Sequence, residues 1–96
     1  EVVHIERRRG EYPDVYAMQD NSPDENYRLI RGADRPGADG IFQSCTALHA
    51  APVIDRLEKD LGKPVVTSNT ATLWDALRKA RVKEPIQGYG KLLRQL

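Results

Sequence analysis

Gly40-Ile41-Phe42-Gln43-Ser44-Cys45-Thr46-Ala47-Leu48-His49 is the stretch on which the fold turns. It holds the single cysteine of a 96-residue chain, at the point where a short apolar run gives way to small polar residues. Ile41-Phe42, flanked by Gly37 and Gly40, suits a buried β-strand, and the segment entered through Ala51-Pro52 suits a helix. Cys45 then stands at the carboxyl end of a strand. In open α/β sheets that edge receives ligands, because helix amino termini converge there and backbone donors face the crevice.

Downstream, Val53, Ile54, Leu57 and Leu61 fall at helical spacing, with Asp55, Arg56, Glu58, Lys59 and Asp60 on the other side. Gly62 ends that helix and Pro64 lies just beyond it. Pro64-Val65-Val66-Thr67 is short and β-branched, a further strand. Ser68, Asn69 and Thr70 are cap candidates for a helix marked by Leu73, Trp74, Leu77 and Ala80, a stripe that places Trp74 in the core. Pro85 to Gly90 is turn-rich, and a short helical piece follows from Lys91 to Leu96. Gly88-Tyr89-Gly90 lacks the spacing and the preceding strand of a dinucleotide loop.

Upstream, Val2 to Arg8 is expected as a first strand, closed by Gly10, with His4 packed or at an edge. Glu11 to Asn21 is a loop apolar enough to pack onto something. Ser22-Pro23-Asp24-Glu25 is a helix start: Ser22 caps, Pro23 suits the first position and Glu25 completes a capping box. Tyr27, Ile30 and Ala33 share that helix's inner stripe, and Pro36-Gly37 stops it. The order β-loop-α-β-α-β-α implies parallel strands joined by right-handed crossovers, an α/β fold in a single domain over residues 1–96.

Fifteen basic against fourteen acidic residues give a formal charge of +1, which offers no electrostatic case for nucleic acid or a membrane surface. The Arg7-Arg8-Arg9 cluster has no interleaved aromatics and is a solvated strand end. No apolar run approaches the roughly 18 residues of a membrane span, and no secretory signal is visible. One cysteine cannot form an internal disulfide, and a reducing cytoplasm is the location that keeps its thiol usable.

An unperturbed thiol titrates near pH 8.5, and a helix amino terminus or a cation lowers that value, so a strand-end Cys45 is placed to be a nucleophile or proton donor. Thr46, Ala47 and the turn they begin offer backbone N–H groups and a hydroxyl to a carboxylate. Ser68 and Asn69, at the next strand's end, face the same crevice. An inert cysteine and ordinary cap residues account for the same pattern, so spacing leaves both open. One Cys and two His do not make a zinc site. His49 can serve Cys45 as a base only if the turn between them is helical; a surface histidine starting the next helix is the simpler reading.

Four runs together carry a resemblance: Gly37 to Thr46, Leu61-Gly62-Lys63-Pro64-Val65-Val66-Thr67-Ser68-Asn69, Ala71 to Arg78, and Gly88-Tyr89-Gly90-Lys91-Leu92-Leu93. The sequence resembles the carboxyl-terminal half of maleate cis-trans isomerases and arylmalonate decarboxylases, of the aspartate/glutamate racemase superfamily. The resemblance implies a three-layer, parallel-sheet, flavodoxin-like lobe, incomplete here, and a cofactor-free site between two such lobes, each presenting a strand-end cysteine. Cys45 matches the carboxyl-terminal-lobe cysteine. Thr46 matches the position after it, whose backbone and hydroxyl are expected near the substrate carboxylate. The implied function is isomerisation, decarboxylation or racemisation of a small (di)carboxylic acid through Cys45, with no cofactor and no metal. An amino-terminal lobe or a second chain, in the simplest case another copy of this one, would complete the cleft. The chain alone is then expected to be inactive or nearly so. The alternative is a non-catalytic, truncated α/β binding or assembly module. In the loop where maleate isomerases carry a substrate-contacting asparagine, this chain has Asp14-Val15-Tyr16.

Overall fold

Two three-residue strands, β1 (Ile41–Gln43) and β2 (Val65–Thr67), form the sheet, and both are set by their flanks. In the computed structural model, which describes residues 1–6 and 15–96, they pair in parallel, Ile41 opposite Val65, Phe42 opposite Val66 and Gln43 opposite Thr67. The Ile41 N–H donates to the Pro64 carbonyl at 3.0 Å where the pairing begins. A Cβ on Gly40 would sit 3.1 Å from that carbonyl, so the residue before β1 has to be small.

Helix α1 (Pro23–Gly32) is capped by Ser22 as expected, but no Glu25 capping box forms among the described residues, and the helix ends at Gly32, ahead of the expected stop at Pro36-Gly37. The Ser22 hydroxyl accepts from the Glu25 N–H at 3.2 Å, and Pro23 occupies the first turn. Tyr27 and Ile30 are its buried apolar face. A 3-10 turn (Ala51–Val53) leads into α2 (Ile54–Leu61), which ends on Gly62 in the left-handed conformation, φ 68°. The core joins Tyr27, Ile30, Ala50, Val53, Ile54, Leu57 and Val65, with Ile41 and Leu61 packed against it. Alternation along the strands puts Ile41 and Val65 on this inner face, with Gln43 and Thr67 in phase behind them.

Helix α3 (Ser68–Lys79) follows β2 directly, and α4 (Lys91–Arg94) packs on it. The segment before α4 is fixed by two carboxylates of α2. Asp55 Oδ1 accepts from the Gly90 N–H, and Glu58 Oε1 from the Lys91 N–H, both at 2.8 Å. The second Glu58 oxygen accepts from the Val65 N–H at 2.9 Å, so a single side chain joins α2, β2 and α4.

Parallel strands alternating with helices give the expected α/β class, with four further corrections. Residues 2–6 form no strand: Val2 is 74% exposed, with Val3 and Ile5 also exposed, because β-branched residues need a paired neighbour and none is present among the described residues. Arg7 and Arg8 lie outside the described residues. His4 is at the surface, with Nε2 2.9 Å from Arg35 Nη2. Second, β1 is not a buried strand. Phe42, on the opposite face from Ile41, is 62% exposed.

Third, α3 is capped by Thr67, ahead of the expected Ser68, Asn69 or Thr70. The Thr67 hydroxyl accepts from the Thr70 N–H at 3.1 Å, and the Thr70 hydroxyl accepts from the Thr67 N–H at 3.0 Å. Fourth, the apolar stripe of α3 does not enter the core. Leu73 and Ala80 are exposed, Trp74 and Leu77 half-buried, and the Arg78 guanidinium lies 4.6 Å from the Trp74 ring. Of the expected loop at 11–21, Val15–Asp20 is a 3-10 turn and residues 11–14 lie outside the described set.

Candidate active site at the strand end

Cys45 lies two residues beyond β1, half-buried, immediately before a bend over residues 46–48. Leu48 and Ala50 are buried and anchor the exit from the bend. The His49 carbonyl accepts from Asn26 Nδ2 at 2.8 Å. Asn26 is fully buried on α1, and its Oδ1 accepts from Asn21 Nδ2 at 3.2 Å. Made from a fully buried side chain, these bonds make Asn26 a fixed tether rather than a surface amide. The His49 side chain is exposed, and residues 46–48 are a bend rather than a helical turn, so the condition for pairing His49 with Cys45 is not met.

The parallel register brings the end of β2 beside this bend. Ser68, half-buried, and Asn69, exposed, open α3, and Asn69 Nδ2 donates to the Thr46 carbonyl at 3.2 Å. The neighbouring carbonyl, that of Cys45, accepts from Gln43 Nε2 at 3.1 Å. Two consecutive peptide oxygens are thus held by two side-chain amides from different elements. Because a trans peptide directs its N–H opposite to its C=O, the same bonds turn the N–H groups of Thr46 and Ala47 away from Gln43 and Asn69. Among the described residues neither N–H donates to a protein acceptor. Paired backbone donors beside a thiol, next to a helix amino terminus, suit a carboxylate or an oxyanion.

Of the residues expected from sequence, Thr46 and Ala47 share one bend with Cys45 directly before it, and Asn69 touches it through Thr46. Ser68 is adjacent along α3, but its one side-chain-level tie is its carbonyl, which accepts from the Thr72 hydroxyl at 2.8 Å. Two residues escaped the sequence reading. Asn26 is masked by the apolar stripe around it. Gln43 is detectable, being a polar residue in phase with Ile41 on the inner face. Its Oε1 is buried without a hydrogen-bond partner, as is the Trp74 indole N–H. A buried polar atom left unsatisfied costs on the order of 1–3 kcal/mol.

The site is open. Two surface depressions lie elsewhere, one between α2 and α4 lined by Asp55, Glu58, Lys63 and Arg94, the other by Arg78, Arg81 and Gln95, and neither includes Cys45. Among the described residues no group of three or more His, Cys, Asp or Glu side chains could hold a metal ion, and no helix is long and apolar enough to cross a membrane.

The unit is a parallel α/β fold with a cysteine and, among the described residues, two unengaged backbone donors just past a strand end. Its sequence places it more closely: residues 12–93 match the arylmalonate decarboxylase family model, and the chain belongs to that family. It is 31% identical over 87 residues to a maleate isomerase of Pseudomonas putida, covering 90% of this chain and 35% of that protein. An arylmalonate decarboxylase of Bordetella bronchiseptica is 43% identical over 58 residues, 59% of this chain and 24% of that protein. The chain therefore spans about a third or less of the length of these relatives.

Solved structures share the fold. A cysteine-to-alanine variant of the maleate isomerase of Pseudomonas putida S16, crystallised with maleate, superposes with a TM-score of 0.77 at 23% identity, over 85% of this chain and 33% of that one. A glycine-to-cysteine variant of arylmalonate decarboxylase in a sulfate-associated form gives 0.75 at 33% identity, over 92% and 39%.

Proposed function

We propose that this chain supplies one wall of a cofactor-independent active site acting on a small (di)carboxylic acid, with Cys45 as the proton donor or nucleophile. The observation that carries the proposal is the bend itself, where Cys45 directly precedes the N–H groups of Thr46 and Ala47, whose peptides Gln43 and Asn69 hold, in a chain of the arylmalonate decarboxylase family. For a malonate-type substrate, the C–C bond to the departing carboxylate breaks, CO2 leaves, and its electron pair delocalises into the remaining carboxyl group as an enediolate. The Thr46 and Ala47 N–H groups stabilise that charge, and the Cys45 Sγ–H delivers a proton to carbon. For an alkene dicarboxylate, the Cys45 thiolate adds to one alkene carbon, the resulting single bond rotates, and expulsion of the thiolate restores the double bond in the other geometry. Both routes need preorganised donors for negative charge, which is the larger energetic requirement.

The opposite wall, in this reading, comes from a further lobe or from a second chain. The exposed Phe42, on the strand that leads into the bend, supports it. A reducing compartment such as the cytoplasm suits the thiol chemistry.

The test measures turnover of maleate, aryl- and alkylmalonates and amino-acid enantiomers by the chain alone and by a polypeptide or complex that includes the second wall. The chain alone is expected to turn over little or nothing. In the completed site Cys45→Ala should lower kcat by about 100- to 10,000-fold, the range for a positioned proton donor. Full turnover by the Ala variant would remove Cys45 from the mechanism.

A further inference from the structure

We infer that Gln43 is a positioning residue for the Cys45 bend, acting together with Asn69, and that it is kept for this role at the expense of stability. The inference rests on the reading of Cys45 as the reacting thiol and adds a residue that acts through it.

Gln43 ends β1 in the inward phase set by Ile41, where its register partner Thr67 is buried and the neighbouring Ile41 and Val65 pack on the core. An apolar side chain is the choice that local packing favours there. Gln43 instead sends Nε2 to the Cys45 carbonyl at 3.1 Å and leaves Oε1 buried without a partner. Exchanging the two amide atoms does not cure this, because it would set Oε1 against the Cys45 carbonyl oxygen and lose the one bond made. A position that breaks the packing rule and leaves a polar atom unsatisfied, while holding a peptide next to a candidate reactive group, is explained by the peptide it holds.

That peptide unit contains the Cys45 carbonyl and the Thr46 N–H. The next one, Thr46 carbonyl and Ala47 N–H, is held by Asn69 from α3. Gln43 and Asn69 therefore fix two successive peptide planes from opposite flanks, and the direction of both candidate oxyanion donors follows from them. Asn69, expected from sequence to bind substrate itself, takes the role of holding the donors that do.

The experiment uses the 96-residue chain with Gln43→Met, which keeps length and volume but cannot donate, and Asn69→Ala as a second, exposed probe. Three readouts are taken: the thermal midpoint, the rate of Cys45 alkylation by iodoacetamide, and the 15N amide resonances of Thr46 and Ala47. Gln43→Met is expected to leave the midpoint unchanged or raise it. It should also change the alkylation rate by about three- to tenfold, the loss of one hydrogen bond converted to a rate, and shift both amide resonances. Asn69→Ala should move mainly the Ala47 resonance. An alkylation rate within twofold of the parent with unshifted amides would overturn the inference. So would a clear fall in midpoint with Gln43→Met, since Gln43 would then be an ordinary structural residue. Turnover by Cys45→Ala in the completed site would instead sink the catalytic reading while leaving these measurements intact, so the two failures are separable.

Discussion

The two strands of the sheet are register partners, yet their surroundings differ sharply. On the side of α2 and β2, Ile54 and Leu57 are fully buried and Val65 is nearly so. On the β1 side, Phe42 is largely exposed, and the bend beyond it is held by side-chain amides from Gln43, Asn69 and Asn26, with packing only at its exit through Leu48 and Ala50. Burial of apolar area stabilises the first region. Directional bonds give the second a defined geometry at little net gain in stability, because each exchanges a bond to water for a bond to protein. Apolar burial and directional bonding thus dominate opposite sides of one small sheet.

Truncating Leu57 is the largest available perturbation of this contrast. Leu57→Ala removes a side chain from a fully buried position between α1 and β2 and should cost about 2–5 kcal/mol, a large part of the roughly 5–15 kcal/mol that stabilises a typical domain. Urea titration followed by far-UV circular dichroism reads the change. A cost under about 1 kcal/mol would mean that the site collapses around the gap, and the rigid side of the comparison would not be rigid.

Gly90 offers a smaller and more specific break. It enters α4 at φ 92°, and a Cβ there would lie 2.6 Å from Ile54 Cγ2 and 3.2 Å from a Glu58 carboxylate oxygen. Gly88, at φ 98°, has nothing within 4 Å. Both alanine variants carry backbone strain of about 1–3 kcal/mol, and only Gly90→Ala adds a clash with the core, about 1–3 kcal/mol more. The difference between the two melting curves isolates the contact between the tail and α2. Equal destabilisation would show that Ile54 yields, and that the tail is not fixed by α2 as closely as its bonds to Asp55 and Glu58 indicate.

The parts of the fold legible in the sequence are those set by local rules. The Ser22 cap, the Val53-Ile54-Leu57-Leu61 stripe, the Gly62 stop and the strand at Val65 depend on residues near one another in the chain, and each is found as expected. Failures occur where a nonlocal partner decides. Val2-Val3-Ile5 has the composition of a strand and, among the described residues, nothing to pair with, and Leu73 and Trp74 have helical spacing but stay outside the buried core. At the site, Cys45, Thr46 and Ala47 follow from the strand–turn boundary and from the resemblance. The role of Gln43 depends on a carbonyl direction, which a list of residue types does not encode.

The smallest expected effect is at Phe42, and it tests the open side directly. Phe42→Thr keeps strand propensity and removes an exposed ring, so in an isolated monomer the cost should stay within about 0.5 kcal/mol. Unfolding midpoints measured at several protein concentrations, with sedimentation velocity alongside, separate two outcomes. A small, concentration-independent change leaves the contrast between the strands as drawn. A loss comparable to that of a core residue, appearing only at high concentration and accompanied by a smaller sedimentation coefficient, would mean that Phe42 is buried in solution against another copy of the chain, since only a bound state makes stability depend on concentration. The comparison would then be between two buried faces, one covered within the chain and one between chains.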